Sequence, residues 1–320
     1  MEGTLKWALV TAIAPIAWGT NYFVTHDYLP TGYPLYGAVI RALPAGLLLL
    51  AVARKRPKGS WWWKSLVLGA LNTSVFFTLI YVAAQALPTS LASMIMATSP
   101  VALMLLAWPI TAERPTGAKV IGAAIGIGGA CLMLLTSAIA VNPLGIVASV
   151  SAMILSSIGY ILAKRWAGEV DVLASTAWQL TAGGLLLIPP AILFEGAPPA
   201  LDGDALIGFG YVTVVATALA FAAWFAGLKH LPAGTVGLIG LLNPVTGVLL
   251  GTLLAGDTLT GRQILGIVLV LGGLLLGTYS AGKAISNRDG RRWPAWCEVL
   301  WSRLPWQSPR HQPPKRQPVG

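Results

Sequence analysis

Residues 87–134 read LPTSLASMIMATSPVALMLLAWPITAERPTGAKVIGAAIGIGGACLML, and residues 231–278 read LPAGTVGLIGLLNPVTGVLLGTLLAGDTLTGRQILGIVLVLGGLLLGT. The two stretches align without a gap at an offset of 144 residues. Leu87-Pro88 falls on Leu231-Pro232, and Pro100-Val101 on Pro244-Val245. Glu113 meets Asp257, Thr116-Gly117 meets Thr260-Gly261, Gly122 meets Gly266, and Gly128-Gly129 meets Gly272-Gly273. A second block aligns at an offset of 138, with Arg41 on Gln179 and Gly46-Leu47 on Gly184-Leu185. The spacing predicts a chain built twice.

What is duplicated is apolar. Crossing a bilayer takes about 20 residues per helix. Ten segments reach that scale: Trp7–Val24, Tyr33–Ala53, Ser65–Gln85, Thr89–Ile110, Val120–Thr136, Leu144–Ala163, Val172–Phe194, Ala205–Leu228, Thr235–Ala255 and Ile264–Ser280. In lipid the backbone must satisfy its own polar groups, so each is expected to be a helix. Short loops make consecutive helices antiparallel. Each copy holds five segments, an odd number, so the second copy enters the membrane from the opposite side. Residues 5–137 and 143–281 are the two expected repeats, and 282–320 is a basic tail. Ala12-Ile13-Ala14 looks like a signal-peptide cleavage site, but the apolar run before it is too short, and the first segment is expected to be retained.

Composition agrees. Of 320 residues, 56% are hydrophobic and 10% charged, against roughly 25% charged in a soluble protein. Mean hydropathy is +0.73. That balance excludes a soluble enzyme, a disordered chain and a disulfide-stapled secreted domain. Cys131 lies in an apolar run and Cys297 in the polar tail, so a disulfide between them is not expected. The net charge of +10 suggests nucleic acid until the charges are located. With the N-terminus in the cytoplasm, 19 of the 21 Lys and Arg residues fall on the cytoplasmic side. The positive-inside rule then places both termini inside and accounts for the charge without nucleic acid. Trp61-Trp62-Trp63 beside Lys64 suits an interfacial belt.

Inverted repeats permit two mirror-related states, one open to each side, which is the logic of secondary transport. Several stretches carry a resemblance as well. They are Trp18-Gly19-Thr20-Asn21, Arg41, the Leu-Pro openings at Leu87 and Leu231, Pro100 and Pro244, Glu113-Arg114-Pro115-Thr116, and the glycine-rich fifth and tenth segments. Together they resemble the drug/metabolite transporter superfamily, in its EamA-type branch. Thr11 to Thr20 and Ile40 to Gly46 resemble the PecM-like, blue-pigment (indigoidine) exporter members in particular. The resemblance spans about Leu5 to Tyr279. It implies a ten-helix basket whose first, third, fourth, sixth, eighth and ninth helices surround a central cavity. It also implies small-metabolite transport, usually outward, across an inner membrane.

The residues that could serve such a cavity follow. No Asp or Glu lies within any of the ten segments, so proton coupling has no carboxylate at depth. Coupling would fall to end-lying groups such as Asp27, Asp257 and His230, or the protein is a facilitator. The same lack of acids and bases argues against an enzyme, and no metal or cofactor is expected. Gly122/Gly126 and Gly273/Gly277 read as close-packing pairs. They fit a homodimer face or a contact within one chain. Arg41 is the one charge read as embedded, roughly 10 Å from the outer end of its helix by helical rise. It could hold a substrate anion or a gate carboxylate such as Asp27, or it could clamp helix-end carbonyls. Cavity candidates are Trp18, Asn21, Tyr22, Asn72, Phe76, Tyr81, Thr98, Ser99, Ser156, Tyr160, Trp224 and Asn243. For each, packing between helices is the alternative. Collectively they suggest an amphiphilic cavity with aromatic walls. A phosphate site would want several buried cations. The expected function is export of a small amphiphilic or aromatic metabolite, an amino acid, pigment or related compound, by alternating access. Import and a non-transporting scaffold are the alternatives.

The tail from Ser286 to Gly320 alternates Trp293, Trp296, Trp301 and Trp306 with basic residues. It reads as a disordered segment or an interfacial anchor. A chain truncated after Ile285 is expected to keep most of its transport. Normal insertion with lost transport in vesicles carrying the truncated chain would contradict this.

Overall fold

The computed structural model describes residues 2–87, 89–134, 142–168, 170–254 and 259–285. The side chains of Tyr22 and His26 lie outside the described set, as do Asp257, Cys297 and the tail expected from Ser286 onward.

All regular structure among the described residues is helical. In chain order the helices are α1 (Glu2–Tyr28), α2 (Pro34–Ala53), α3 (Trp61–Gly69), α4 (Val75–Ala86), α5 (Thr89–Ala97), α6 (Ser99–Thr111) and α7 (Gly117–Leu134). Then come α8 (Pro143–Trp166), α9 (Val172–Glu195), α10 (Gly203–Thr213), α11 (Ala220–His230), α12 (Ala233–Gly240), α13 (Leu242–Leu254) and α14 (Gly261–Ile285). Several are halves of one rod. A π-helical turn, Ala70–Ser74, joins α3 to α4, and a second, Val214–Leu219, joins α10 to α11. The breaks between α5 and α6 and between α12 and α13 fall just before Pro100 and Pro244. Proline lacks an N–H and its ring collides with the carbonyl four residues back, so the straight ladder cannot run through.

Nine of these rods are long and apolar enough to cross a membrane. The remaining long helix, α1, spans 27 residues and carries the polar stretch Trp18-Gly19-Thr20-Asn21-Tyr22 in its second half. Large apolar side chains turn outward: Leu193, Phe194 and Leu253 are each more than three-quarters exposed. Such an outer surface suits lipid and not water.

Glycines set two close seams. In the first, α7 packs along α14 in the opposite direction. A β-carbon on Gly122 would lie 2.5 Å from the Gly273 carbonyl oxygen, and one on Gly129 would lie 2.6 Å from that of Gly266. The small-residue faces that fitted a homodimer thus meet each other within the chain. In the second seam, α2 packs antiparallel to α9. Gly46 abuts Thr181, and Gly184 abuts Leu43. Glu195 at the end of α9 caps the start of α2, accepting from Leu35 N at 2.6 Å and Tyr36 N at 2.8 Å. At the far end Lys55 pairs with Asp171 at 2.9 Å, and that hydrogen bond holds the Asp171 carboxyl below its ordinary range. Between the seams, α1 packs on α11 and α13, and α8 packs on α4 and α6.

One end of the bundle is basic. There Trp7 stacks on His230 at 3.6 Å, Trp63 meets Trp166 edge-on, and Lys64 lies over Trp61, Trp63 and Trp166. The loops at this end carry Arg54, Lys55, Arg56, Lys58 and Arg114. The described loops at the other end carry Asp202 and, just inside α10, Asp204.

Substituting Gly273 by Leu would drive a side chain into the Gly122 carbonyl, 2.4 Å from the added carbon. The expected cost is on the order of 3 kcal/mol from overpacking, read as a lower unfolding temperature in detergent. Gly272→Ala faces open space and should leave that temperature within a degree or two.

Candidate functional site

Aromatic rings from three helices meet inside the bundle. Trp224 of α11 is 3% exposed. Its ring lies 5.2 Å from that of Trp18 in α1 and 5.6 Å from that of Tyr160 in α8. Phe221 meets Trp18 at 5.4 Å, and Phe225 meets Tyr160 at 5.8 Å. Beneath the Trp224 ring runs α12, where a β-carbon on Gly240 would come within 3.3 Å. Edge-on and tilted rings at these separations attract through their quadrupoles. Among the described residues, the buried Trp224 Nε1 has no hydrogen-bond partner, nor has Asn21 Oδ1 three residues beyond Trp18 on α1. A buried indole N–H without an acceptor costs free energy, so its retention calls for a reason.

The two π turns are gripped from the side by α2 and α9. A π turn shifts bonding from i−4 to i−5 and widens the helix, exposing carbonyls. The carbonyl of Ala216 in the second turn accepts from Trp18 Nε1 at 3.1 Å and from an Arg41 terminal nitrogen at 3.3 Å. Arg41 Nε also donates to Thr217 Oγ1 at 3.0 Å, and its guanidinium stacks on Phe77. In the first turn, buried Asn72 donates to Gln179 Oε1 at 2.9 Å. The 138-residue offset that pairs Arg41 with Gln179 and the 144-residue offset that carries Asn72 and Thr73 to Ala216 and Thr217 thus meet in one recurring contact. Its chemistry differs: a cation grips one turn, a neutral amide the other.

The sequence candidates therefore do not form one group. Trp18, Tyr160 and Trp224 come together. Asn21 lies on the same helix as Trp18, half-buried. Ser156 is buried one turn before Tyr160 and donates to the Met153 carbonyl. Thr98 donates to Ile95 O and to Met153 Sδ at 3.0 Å, and Ser99 follows it at the α5–α6 break. Asn243 brings its backbone carbonyl against Gly19. Asn72 belongs to the first π turn. Phe76 packs tilted on Phe77, and Tyr81 packs on the cluster of Leu35, Ala38, Leu187 and Ala191, away from the rings. Asp27 is exposed near the end of α1.

One expectation is corrected. Arg41 is not the only embedded charge. Lys119, expected in a loop, lies inside α7, which begins at Gly117, and is 6% exposed. Burial works against its charge, and the Glu113 carboxylate attracts it in part compensation. Lys164 is nearly as sheltered and pairs with Glu113 at 2.6 Å. Sequence reasoning also passed over Phe221, Phe225, Gln179 and Thr217. Only Gln179 had a signal, its alignment with Arg41.

Apolar spanning rods around a buried aromatic cluster define an all-helical membrane protein. The pattern of the EamA-like transporter family matches residues 5–135 and again 143–279. The chain belongs to that family, within the drug/metabolite transporter superfamily, and is an integral inner-membrane protein. Protein PecM of Dickeya dadantii (strain 3937) is 35% identical over 259 residues, covering 80% of this chain and 87% of that protein. The uncharacterized inner membrane transporter YedA of Escherichia coli (strain K12) is 28% identical over 268 residues, covering 80% and 85%. A solved crystal structure with 20% identity superposes with a TM-score of 0.77 over 87% of this chain and 98% of its own. That likeness concerns the fold.

Arg41→Ala should remove both bonds to the second π turn and cost about 2 kcal/mol, seen as a lower unfolding temperature. Arg41→Gln, imitating Gln179, should recover roughly half. Undiminished stability of Arg41→Ala together with abolished transport would instead assign Arg41 to the solute.

Proposed function

We propose that the chain is a secondary transporter that exports a small amphiphilic or aromatic metabolite by alternating access around the Trp18–Tyr160–Trp224 cluster. The observation that carries this reading is the buried Trp224 N–H, held among aromatic rings without an acceptor among the described residues. A planar solute bearing an acceptor would stack on those rings and take that hydrogen bond. The membership in a transporter family supports transport over catalysis.

The architecture we infer is ten membrane helices, α1 included, in two five-helix halves of opposite topology. Antiparallel packing of α2 on α9 and of α7 on α14 supports it, because each pair joins positions that correspond between the halves. Corresponding helices that run in opposite directions are what an inverted repeat requires. The basic end is the cytoplasmic one on the positive-inside rule, so both termini are cytoplasmic. Outward direction follows the resemblance to the blue-pigment exporter branch.

Solute counterflow in proteoliposomes tests the function, with labelled aromatic metabolites, polar amino acids and a sugar control, with and without a protonophore. Saturable exchange of the aromatic class is expected. Trp224→Phe keeps the ring and loses the N–H, and should raise the half-saturation concentration about tenfold. An unchanged value would remove Trp224 from the site. No exchange of any solute by folded, inserted protein would favour the scaffold.

A further inference from the structure

We propose that Glu113, Lys164 and Lys119 form the cytoplasmic gate: an ion-pair latch between the two halves that must break for that mouth to open. The proposal rests on the alternating-access reading. Glu113 follows α6 in the first half, and both of its oxygens are used across the divide. Oε1 pairs with Lys164 Nζ at 2.6 Å, at the end of α8. Oε2 accepts from Ala233 N at 2.7 Å, at the start of α12. A helix start leaves four N–H groups to be capped, and Pro232, at the capping position, offers no side-chain acceptor. The first half therefore supplies the cap for a helix of the second. Lys164 in turn donates to the Leu231 carbonyl. Beside it, Arg165 donates to the Ile110 carbonyl at 2.5 Å, tying α8 to α6 again.

The latch lies on the path from the aromatic cluster to the cytoplasmic end. Lys164 follows Tyr160 by four residues on α8, so the two share a face. Phe225 and Leu228 of α11 line a small cavity together with Lys164, Ala163 and Ser175. Phe225 also touches Tyr160. The Glu113–Lys164 pair thus stands one helical turn from the rings, on the side of the basic end. Lys119 of α7 adds a second cation, attracted by Glu113 and repelled by Lys164. The charged groups facing Glu113 are thus Lys164 from α8, Lys119 from α7 and the positive start of α12.

Ion pairs suit a contact that must be made and broken. Desolvation of the partners offsets much of their attraction, so the closed state is held without being locked. Removing one partner is different. Loss of the Glu113 charge leaves Lys119 and Lys164 repelling one another, which favours separation of α7 and α8.

The test uses the full chain with Cys131→Ser, Cys297→Ser and a reporter, Ser156→Cys, one turn from Tyr160. A membrane-impermeant charged thiol reagent is applied from the cytoplasmic side in inside-out vesicles. Glu113→Gln keeps the cap to Ala233 but removes the charge, and should speed labelling about fivefold or more. Equal labelling in parent and Glu113→Gln would overturn the gate. Should Glu113→Gln fail to insert, Lys164→Gln breaks the pair between the halves while Glu113 still holds Lys119; a smaller acceleration is expected, and its absence would count equally against the latch. Labelling needs no solute, so a failed gate is distinguished from a failed transport assignment, which counterflow with the parent protein decides.

Discussion

The close approach of α7 and α14 is the contact on which the other arrangements depend. It exists because Gly122, Gly129, Gly266 and Gly273 present no side chains where backbone carbonyls pass. In lipid there is little hydrophobic drive to bring apolar helices together, so close packing of small residues does that work. The consequences reach α12. Leu241, just past its end, fills the space left by Gly126, and its Leu238 fills the space left by Gly277. Gly237 of α12 then rests on Pro100 of α6. Held in this way, α12 brings Gly240 beneath the Trp224 ring and turns its uncapped start toward Glu113. One seam of missing side chains thus fixes the floor of the aromatic cluster and the position of the latch.

The second seam, α2 on α9, does comparable work at the sides. It carries Arg41 and Gln179 to the two π turns. Both turns are places where helical bonding is rearranged and the backbone offers acceptors within the bundle. The Ala216 carbonyl links Arg41 to Trp18, so a residue on a lateral helix shares an acceptor with one ring of the cluster. The corresponding contact through Gln179 and Asn72 is neutral. Two halves built from one plan therefore differ in how firmly they hold their π turns, because hydrogen bonds to a charged donor are stronger than neutral ones.

Much of this was legible in the sequence, and the rest was not for identifiable reasons. Apolar runs mark spans because lipid forbids unsatisfied backbone, and the rods fall where those runs fall. The glycine pairs of the fifth and tenth segments were readable as packing faces, and the 138-residue offset aligned Arg41 with Gln179 without saying what either does. The π turns were not readable. Neither Ala-Leu-Asn-Thr-Ser nor Val-Val-Ala-Thr-Ala-Leu carries a local signal for a shift to i−5 bonding, and the contacts gripping them come from helices more than 100 residues away. Phe221 and Phe225 looked like ordinary apolar filler, since a ring's neighbours depend on tertiary packing. Lys119 read as a loop cation because the sequence does not specify that α7 begins at Gly117 and carries it into the bundle.

The central claim is that two inverted halves rearrange about the aromatic cluster so that the ends open in alternation. Spin-label distances test it most directly, in lipid nanodiscs, on a chain with Cys131 and Cys297 replaced by serine. One pair of labels, at Arg114 and Gly168, spans the basic end; another, at Thr31 and Arg262, spans the opposite end. With a solute that exchanges, the account predicts that the first distance lengthens in the same population in which the second shortens. Distances that stay single and unchanged at both ends, or that lengthen together, would contradict it.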